Sequence, residues 1–227
     1  MDKDAFIRAN TVLAAPPLVP EIRLYMASEV LPLWQRTESD LAAAGVAPPY
    51  WAFAWAGGQA LARHVLDHPA IVRGRKVLDL GAGSGLVGIA ATMAGAASVL
   101  SADIDDLALA AIAMNAAANG CTLATTGRDL IGTASPDAYD VILVGDLFYE
   151  RPLAERLLAW LKKAGGPVLL GDPGRSYFPQ QEVEKLALYR VPTSRDLEDR
   201  EIRDTGVFAL AHSGAAPHGN FPDSTQI

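Results

Sequence analysis

From residue 76 onward, short apolar runs alternate with longer Ala- and Leu-rich stretches, and that alternation predicts strands and helices in turn. The predicted strands are 76–80, 98–103, 122–125, 141–145 and 168–171. The predicted helices between them are 85–94, 105–118 and 152–163. Strand followed by helix followed by strand implies parallel crossovers, with helices on both faces of one sheet. Two further runs, 186–191 and 202–210, are joined by the charged segment 195–200, which is too short for a crossover helix, so a closing antiparallel hairpin is expected. The fold class is therefore α/β, a seven-stranded Rossmann-like sheet, mostly parallel, ending in an antiparallel hairpin.

The first 75 residues are less regular. Prolines at 16, 17 and 20 predict an extended stretch over 13–20, with Pro20 opening a helix that runs to about 31. A second helix would reach Ala44 and stop at Gly45. The aromatic segment 48–55 then leads into a helix over 57–68. One domain is expected, with 1–75 as a helical and aromatic lid region, 76–211 as the core and 212–227 as a disordered tail rich in Gly, Pro and Ser.

Composition narrows the possible functions. With 227 residues, 50% hydrophobic and 20% charged, the chain is rich enough in apolar side chains to build a full core. A net charge of −7 argues against a broad phosphate-gripping surface, so no nucleic-acid partner is expected. The single cysteine, Cys121, excludes an internal disulfide and a cysteine-based zinc site, and fits the reducing cytoplasm. No secretory signal is evident, and the longest apolar run, 86–100, is too short for a membrane helix, so no membrane partner is expected.

The most informative stretch is Val77-Leu78-Asp79-Leu80-Gly81-Ala82-Gly83-Ser84-Gly85. A buried strand ends in glycines and runs directly into a helix. Glycine suits a sharp turn that a ligand approaches closely, and the helix N-terminus offers unpaired N–H groups. Asp103, at the tip of the next strand, can take both hydroxyls of a ribose. Asp79 places a carboxylate beside the loop, where a cationic ligand group could bind. The residues 83–88 also match G-x-G-x-x-G, with Asp103 about 20 residues on, as in dinucleotide enzymes. No tyrosine here is followed four residues later by lysine, and no other hydride-transfer constellation is evident. The acid before the glycines and the closing hairpin favour S-adenosylmethionine.

Asp79 to Gly85 with Asp103 resembles the first two motifs of class I, seven-strand S-adenosylmethionine-dependent methyltransferases. More narrowly, Pro49-Tyr50-Trp51-Ala52, Trp55-Ala56-Gly57-Gly58-Gln59, Gly145-Asp146-Leu147-Phe148-Tyr149 and Gly171-Asp172-Pro173-Gly174-Arg175 resemble the electron transfer flavoprotein β-subunit lysine methyltransferase family. The resemblance implies S-adenosyl-L-methionine as cofactor and lysine of that flavoprotein subunit as substrate. By the same resemblance Trp55 would cover the cofactor, Gly81, Ala82 and Gly83 would wrap its methionine part, and Asp103 would hold the ribose. Leu130 and Gly145 would line the adenine and the methyl-transfer opening. Asp129 could accept from the adenine amino group or be an ordinary turn acid.

Asp146 and Tyr149 follow a buried strand and resemble the Asp-x-x-Tyr motif of protein-lysine methyltransferases. A lysine amine must lose its proton before it can attack, which at its ordinary pKa leaves about one molecule in a few thousand reactive at neutral pH. Asp146 is expected to capture and aim the amine, and Tyr149 to wall the lysine channel. A helix cap and a packed ring are the structural alternatives. His64, Asp67 and His68 lack an evident third ligand, so no metal is expected and a solvated helix face is the reading for them. Other substrates remain open at this point, namely a ribosomal protein, a small amine or a nitrogen heterocycle. So does a non-catalytic assembly factor that binds the cofactor.

Overall fold

Central strands buried on both faces build the core. The computed structural model describes residues 2–27, 48–193 and 202–211. Strands β3 (Lys76–Leu80), β4 (Ser98–Ala102), β5 (Ala124–Thr126), β6 (Val141–Gly145) and β7 (Val168–Asp172) run parallel, and β8 (Val183–Pro192) and β9 (Ile202–Leu210) close the sheet antiparallel. The order across the sheet is β5-β4-β3-β6-β7-β9-β8, so the last strand is inserted between β7 and β8. In β3, β6 and β7, Val77, Leu143 and Leu169 enter one apolar cluster while Leu78, Ile142 and Leu170 enter another. Burial on both faces is why these strands read as continuous apolar runs rather than alternating ones.

Helices cover both faces. α2 (Ala56–Asp67) and α3 (Leu86–Met93) contribute Leu61, Val65 and Ile89 to the first cluster, and α5 (Arg151–Leu161) contributes Leu157, Trp160 and Leu161 to the second. α2 approaches the sheet so closely that a Cβ on Gly57 would collide with the carbonyl oxygen of Gly171, and one on Gly171 with that of Gly57. Glycine at both positions lets backbone meet backbone and brings the start of α2 to the carboxyl ends of β6 and β7.

The N-terminal region departs from expectation. Where a helix was predicted from Pro20, the chain forms a two-stranded antiparallel ribbon of β1 (Val12–Ala14) and β2 (Leu24–Met26), preceded by α1 (Lys3–Asn10). The cause is tertiary. Asn115 and Asn119 of α4 (Asp106–Ala118) and its C-cap accept the N–H groups of Tyr25 and Arg23 at 2.7 and 2.8 Å, and Asn119 Nδ2 donates to the Arg23 carbonyl at 2.7 Å. Those side chains hold the backbone extended. The predicted helix ending at Ala44 lies outside the described residues, as do the charged connection 195–200 and the tail 212–227. Elsewhere the boundaries shift by a residue or two, while β8 is longer than expected because it starts at Val183 and carries an irregularity between Lys185 and Ala187.

His64 also departs from expectation. It is buried, its Nδ1 lies 3.1 Å from the Tyr189 hydroxyl, and its ring lies 4.4 Å from that of His68. Burial and the neighbouring His68 push its pKa down to about 4, so it packs as a neutral ring.

Gly171→Ala is expected to lower unfolding stability by about 1–3 kcal/mol, because the new methyl has nowhere to go but into the α2 backbone. Chemical denaturation reads this directly. A change of only a few tenths would mean that α2 can move away freely.

Candidate functional site

Strands β3 and β6 are neighbours, but the chain leaves them toward opposite sides of the sheet. The crevice outside their carboxyl ends is where open α/β sheets bind ligands. A cavity of about 450 Å³ occupies that crevice.

Its floor is the loop after β3. Gly81 and Gly83 line the cavity with φ of +67° and +51°, a region where a Cβ would be strained. The turn exposes backbone toward the cavity while Gly85 caps α3. Asp103, just beyond β4, accepts the Gly83 N–H through Oδ2 at 2.8 Å and the Asp105 N–H through Oδ1 at 3.0 Å. The two loops are thereby locked together at the cavity edge. Burial raises the Asp103 pKa while the backbone donors work against that rise.

The expected residues do not all reach the cavity. Trp55, Gly81, Gly83, Asp103, Asp129, Leu130, Gly145, Asp146 and Tyr149 line it. Ala82 and Asp79 are not among the lining residues. The Asp79 carboxylate is buried behind the loop, where Oδ2 accepts from the Gly88 N–H at 2.9 Å and from Ser101 Oγ at 3.1 Å. Instead of meeting a ligand, it ties the first turn of α3 to β4. Burial pushes its pKa from 3.8 up to about 7.

Asp129 stands at the cavity rim as a turn acid. Its Oδ1 accepts the Ile131 N–H at 3.0 Å, and its Oδ2 pairs with Arg156 at 2.7 Å. Leu130, Ile131 and Leu153 make the wall beside it apolar.

On the opposite side, Asp146 adopts φ of +57°, a left-handed conformation that Asp tolerates better than most residues. Several contacts hold it there. Its N–H donates to the Gly171 carbonyl at 3.0 Å, Oδ2 accepts the Gly58 N–H at 2.9 Å from the first turn of α2, and Oδ1 accepts from Arg175 Nη2 at 2.8 Å. Tyr149 lies part-exposed, 5.7 Å from the Tyr50 ring. Burial, with lesser contributions from Tyr50, Glu150 and Asp103, pushes the Tyr149 hydroxyl up to about 12, so it stays protonated at neutral pH.

Sequence reasoning assigned no role to several other wall residues. Tyr50 and Trp51 form the roof with Trp55, whose Nε1 donates to the Tyr50 carbonyl at 2.9 Å. The Trp51 Nε1 is buried with no partner among the described residues. The aromatic run 50–55 signalled this roof, but its ring geometry depends on packing against α4 through Ala108, Ala111 and Met114. Among the described residues no group of three His, Cys, Asp or Glu side chains could hold a metal, and no helix is long and apolar enough to cross a membrane.

The cavity suits a nucleoside carrying an amino-acid arm. It offers a carboxylate at a strand tip for a diol, open loop backbone for a polar arm, and an apolar wall for a base.

Comparison with known proteins agrees with this arrangement. The ribosomal protein L11 methyltransferase (PrmA) family matches residues 60–149. The electron transfer flavoprotein beta subunit lysine methyltransferase of Xenopus laevis is 40% identical over 215 residues, covering 91% of this chain and 86% of that protein. Its counterpart in Homo sapiens is 38% identical over 215 residues, covering 91% and 81%. Among solved structures, the ribosomal protein L11 methylase from Lactobacillus delbrueckii subsp. bulgaricus has a TM-score of 0.50 at 25% identity, covering 70% of this chain and 81% of that one.

Asp79 gives a test of the loop's support. Its folded pKa lies above its unfolded value, so its contribution to stability is present below about pH 4 and is lost as the pH rises to about 7. Asp79→Asn keeps the acceptor and removes the charge. The melting temperature of the variant relative to the wild type should therefore climb between about pH 4.5 and 7.5, and parallel pH profiles would contradict the burial argument.

Proposed function

Because this chain belongs to the electron transfer flavoprotein beta subunit lysine methyltransferase family, we propose that it methylates lysine side chains of the β-subunit of electron transfer flavoprotein. It is an S-adenosylmethionine-dependent methyltransferase. The observation that carries the substrate reading is identity of 40% spread over nine-tenths of the chain, a span that takes in the aromatic roof and both loops around Asp146 and Arg175. The acidic net charge supports a protein partner over nucleic acid, and the single cysteine supports a cytoplasmic setting.

When bound, S-adenosylmethionine supplies an electrophilic methyl carbon on a positively charged sulfur. Gly81 and Gly83 would give their backbone to its amino-acid arm, Asp103 would accept from its ribose hydroxyls, and Leu130 and Gly145 would border its base and the opening toward the substrate. Trp55 would close over it, and Asp129 would reach the base edge from its rim position. Because the Asp103 carboxylate is already fixed by two N–H groups, it needs no reorganisation on binding.

The residues on the substrate side would work by placement. Asp146 aims the incoming amine, and its unusual backbone is held by contacts with Gly171 near the end of β7 and with the first turn of α2. Tyr149 and Tyr50 form an aromatic flank for a lysine stem, and the high pKa of Tyr149 excludes it as a base at neutral pH. Among the described residues, none lining the cavity is a histidine. The proton from the amine would therefore leave to water, and positioning would supply much of the acceleration.

Incubating the purified protein with S-adenosylmethionine and recombinant flavoprotein β-subunit should add methyl groups to lysine, read by peptide mass spectrometry. Labelling of a ribosomal protein in a parallel reaction with cell lysate, with the β-subunit unmodified, would replace this reading. Asp103→Ala should weaken S-adenosylhomocysteine binding roughly ten- to a hundredfold in calorimetry, because a charged acceptor is lost. Unchanged affinity would remove Asp103 from the cofactor site.

A further inference from the structure

Asp146 and Arg175 come from the ends of adjacent strands, β6 and β7, and meet inside the cavity wall. Their side chains are 9% and 20% exposed, so their ion pair is screened less than a surface pair would be. The guanidinium addresses one carboxylate oxygen with two nitrogens, Nη2 at 2.8 Å and Nε at 3.3 Å, and its carbon lies 5.6 Å over the Trp55 ring. One cation thus touches both the acid proposed to aim the amine and the indole proposed to cover the cofactor.

The turn that presents Arg175 is itself held firmly. Asp172 Oδ1 accepts the N–H groups of Gly174 and Arg175, each at 2.7 Å. Asp172 is 1% exposed, and its Oδ2 has no partner among the described residues. Burial pushes its pKa up to about 7, with the nearby Asp146 adding to the rise. The Asp172 carboxyl is thus engaged with the backbone of the turn, while the Arg175 guanidinium reaches across to Asp146.

We propose that Arg175 is a positioning residue for methyl transfer, one that fixes the Asp146 carboxylate and offsets its charge so that the amine is aimed without being held as ammonium. The inference rests on lysine as the substrate. In the reaction the lone pair of the amine nitrogen forms the new N–C bond, the electron pair of the breaking C–S bond returns to sulfur, and the extra proton on nitrogen leaves to water. Only neutral amine has that lone pair.

An unpaired carboxylate beside the nitrogen would favour ammonium and raise the substrate's pKa, whereas a carboxylate already matched by Arg175 does so much less. The charged and titratable groups around this position are Asp146, Tyr149 and Glu150 from the loop after β6, and Arg175 with Asp172 behind it from the loop after β7. Tyr50 comes from the roof and Asp103 from the end of β4. The first turn of α2 brings no acidic side chain and contributes the Gly58 N–H. Arg175 is the cation in that set; Arg128 and Arg156 line the same cavity on the side of Asp129, with Arg156 paired to that acid.

The test compares the wild type with Arg175→Gln and Arg175→Lys in methylation of the flavoprotein β-subunit, from about pH 6.5 to 9.5, with calorimetry of S-adenosylhomocysteine alongside. Arg175→Gln should lower kcat about tenfold near neutral pH and move the rising limb of the profile up by about one unit, so that the deficit closes at the alkaline end. Arg175→Lys, which keeps a cation but not the two-nitrogen grip, should leave the limb close to the wild-type position. A loss by the same factor at every pH, no loss at all, or an equal limb shift in Arg175→Lys would each overturn the proposal. So would failure of Arg175→Gln to bind S-adenosylhomocysteine, since the residue would then be scaffold. Should the wild type modify a different protein, the substrate reading fails, while the same profiles measured on that protein still decide the role of Arg175.

Discussion

Burial of the central strands on both faces is the constraint from which the site follows. Residues of β3, β6 and β7 alternate between two apolar clusters, which leaves little room for polar groups along the sheet beyond the buried pair of Asp79 and Ser101. Free backbone groups and charged side chains can gather only at the strand ends. At the carboxyl end the neighbours β3 and β6 part company, and the cavity opens between their loops. The glycine pair at 57 and 171 brings α2 against that same edge, so that a helix N-terminus faces the cavity as well.

The acids at this edge are engaged before any ligand arrives. Asp103 is held by two N–H groups, Asp129 by Ile131 and Arg156, Asp146 by Gly58 and Arg175, and Asp172 by two N–H groups of its own turn. A carboxylate fixed in this way has little freedom left to lose on binding. That arrangement suits a reaction whose main requirement is alignment of a nitrogen, a methyl carbon and a sulfur, and no histidine is among the described residues that line the cavity. The left-handed backbone of Asp146 belongs to the same scheme, since strain of this kind persists where several neighbours impose it.

Much of this was legible in the sequence, and the exceptions share a cause. The strands 76–80, 141–145 and 202–210 were found residue for residue; the first two are buried on both faces and bounded by glycines or charges, which leaves a local signature. The glycine loop and Asp103 were legible for the same reason. The ribbon of β1 and β2 was not, since Asn115 and Asn119, about 90 residues away in the chain, take the backbone groups that would otherwise join a helix after Pro20. Asp79 looked like a ligand group because its distance from the glycines suited one, but only the packing of Gly88 and Ser101 around it reveals that it faces away from the cavity. The pairing of Asp146 with Arg175 joins two loops that no spacing rule connects. The short α1 had a visible cap in Asp2, which accepts from the Ala5 N–H, yet too few residues for periodicity to register.

The central claim is that the crevice between the β3 and β6 loops seats the methyl donor, with Asp103 at its ribose. A crystal structure with S-adenosylhomocysteine bound tests this most directly. The account predicts ligand density along Gly81 to Gly83, with both ribose hydroxyls on the Asp103 carboxylate and the sulfur on the side facing Asp146. Density seated elsewhere, or a nucleoside turned so that its sulfur points away from Asp146, would contradict it.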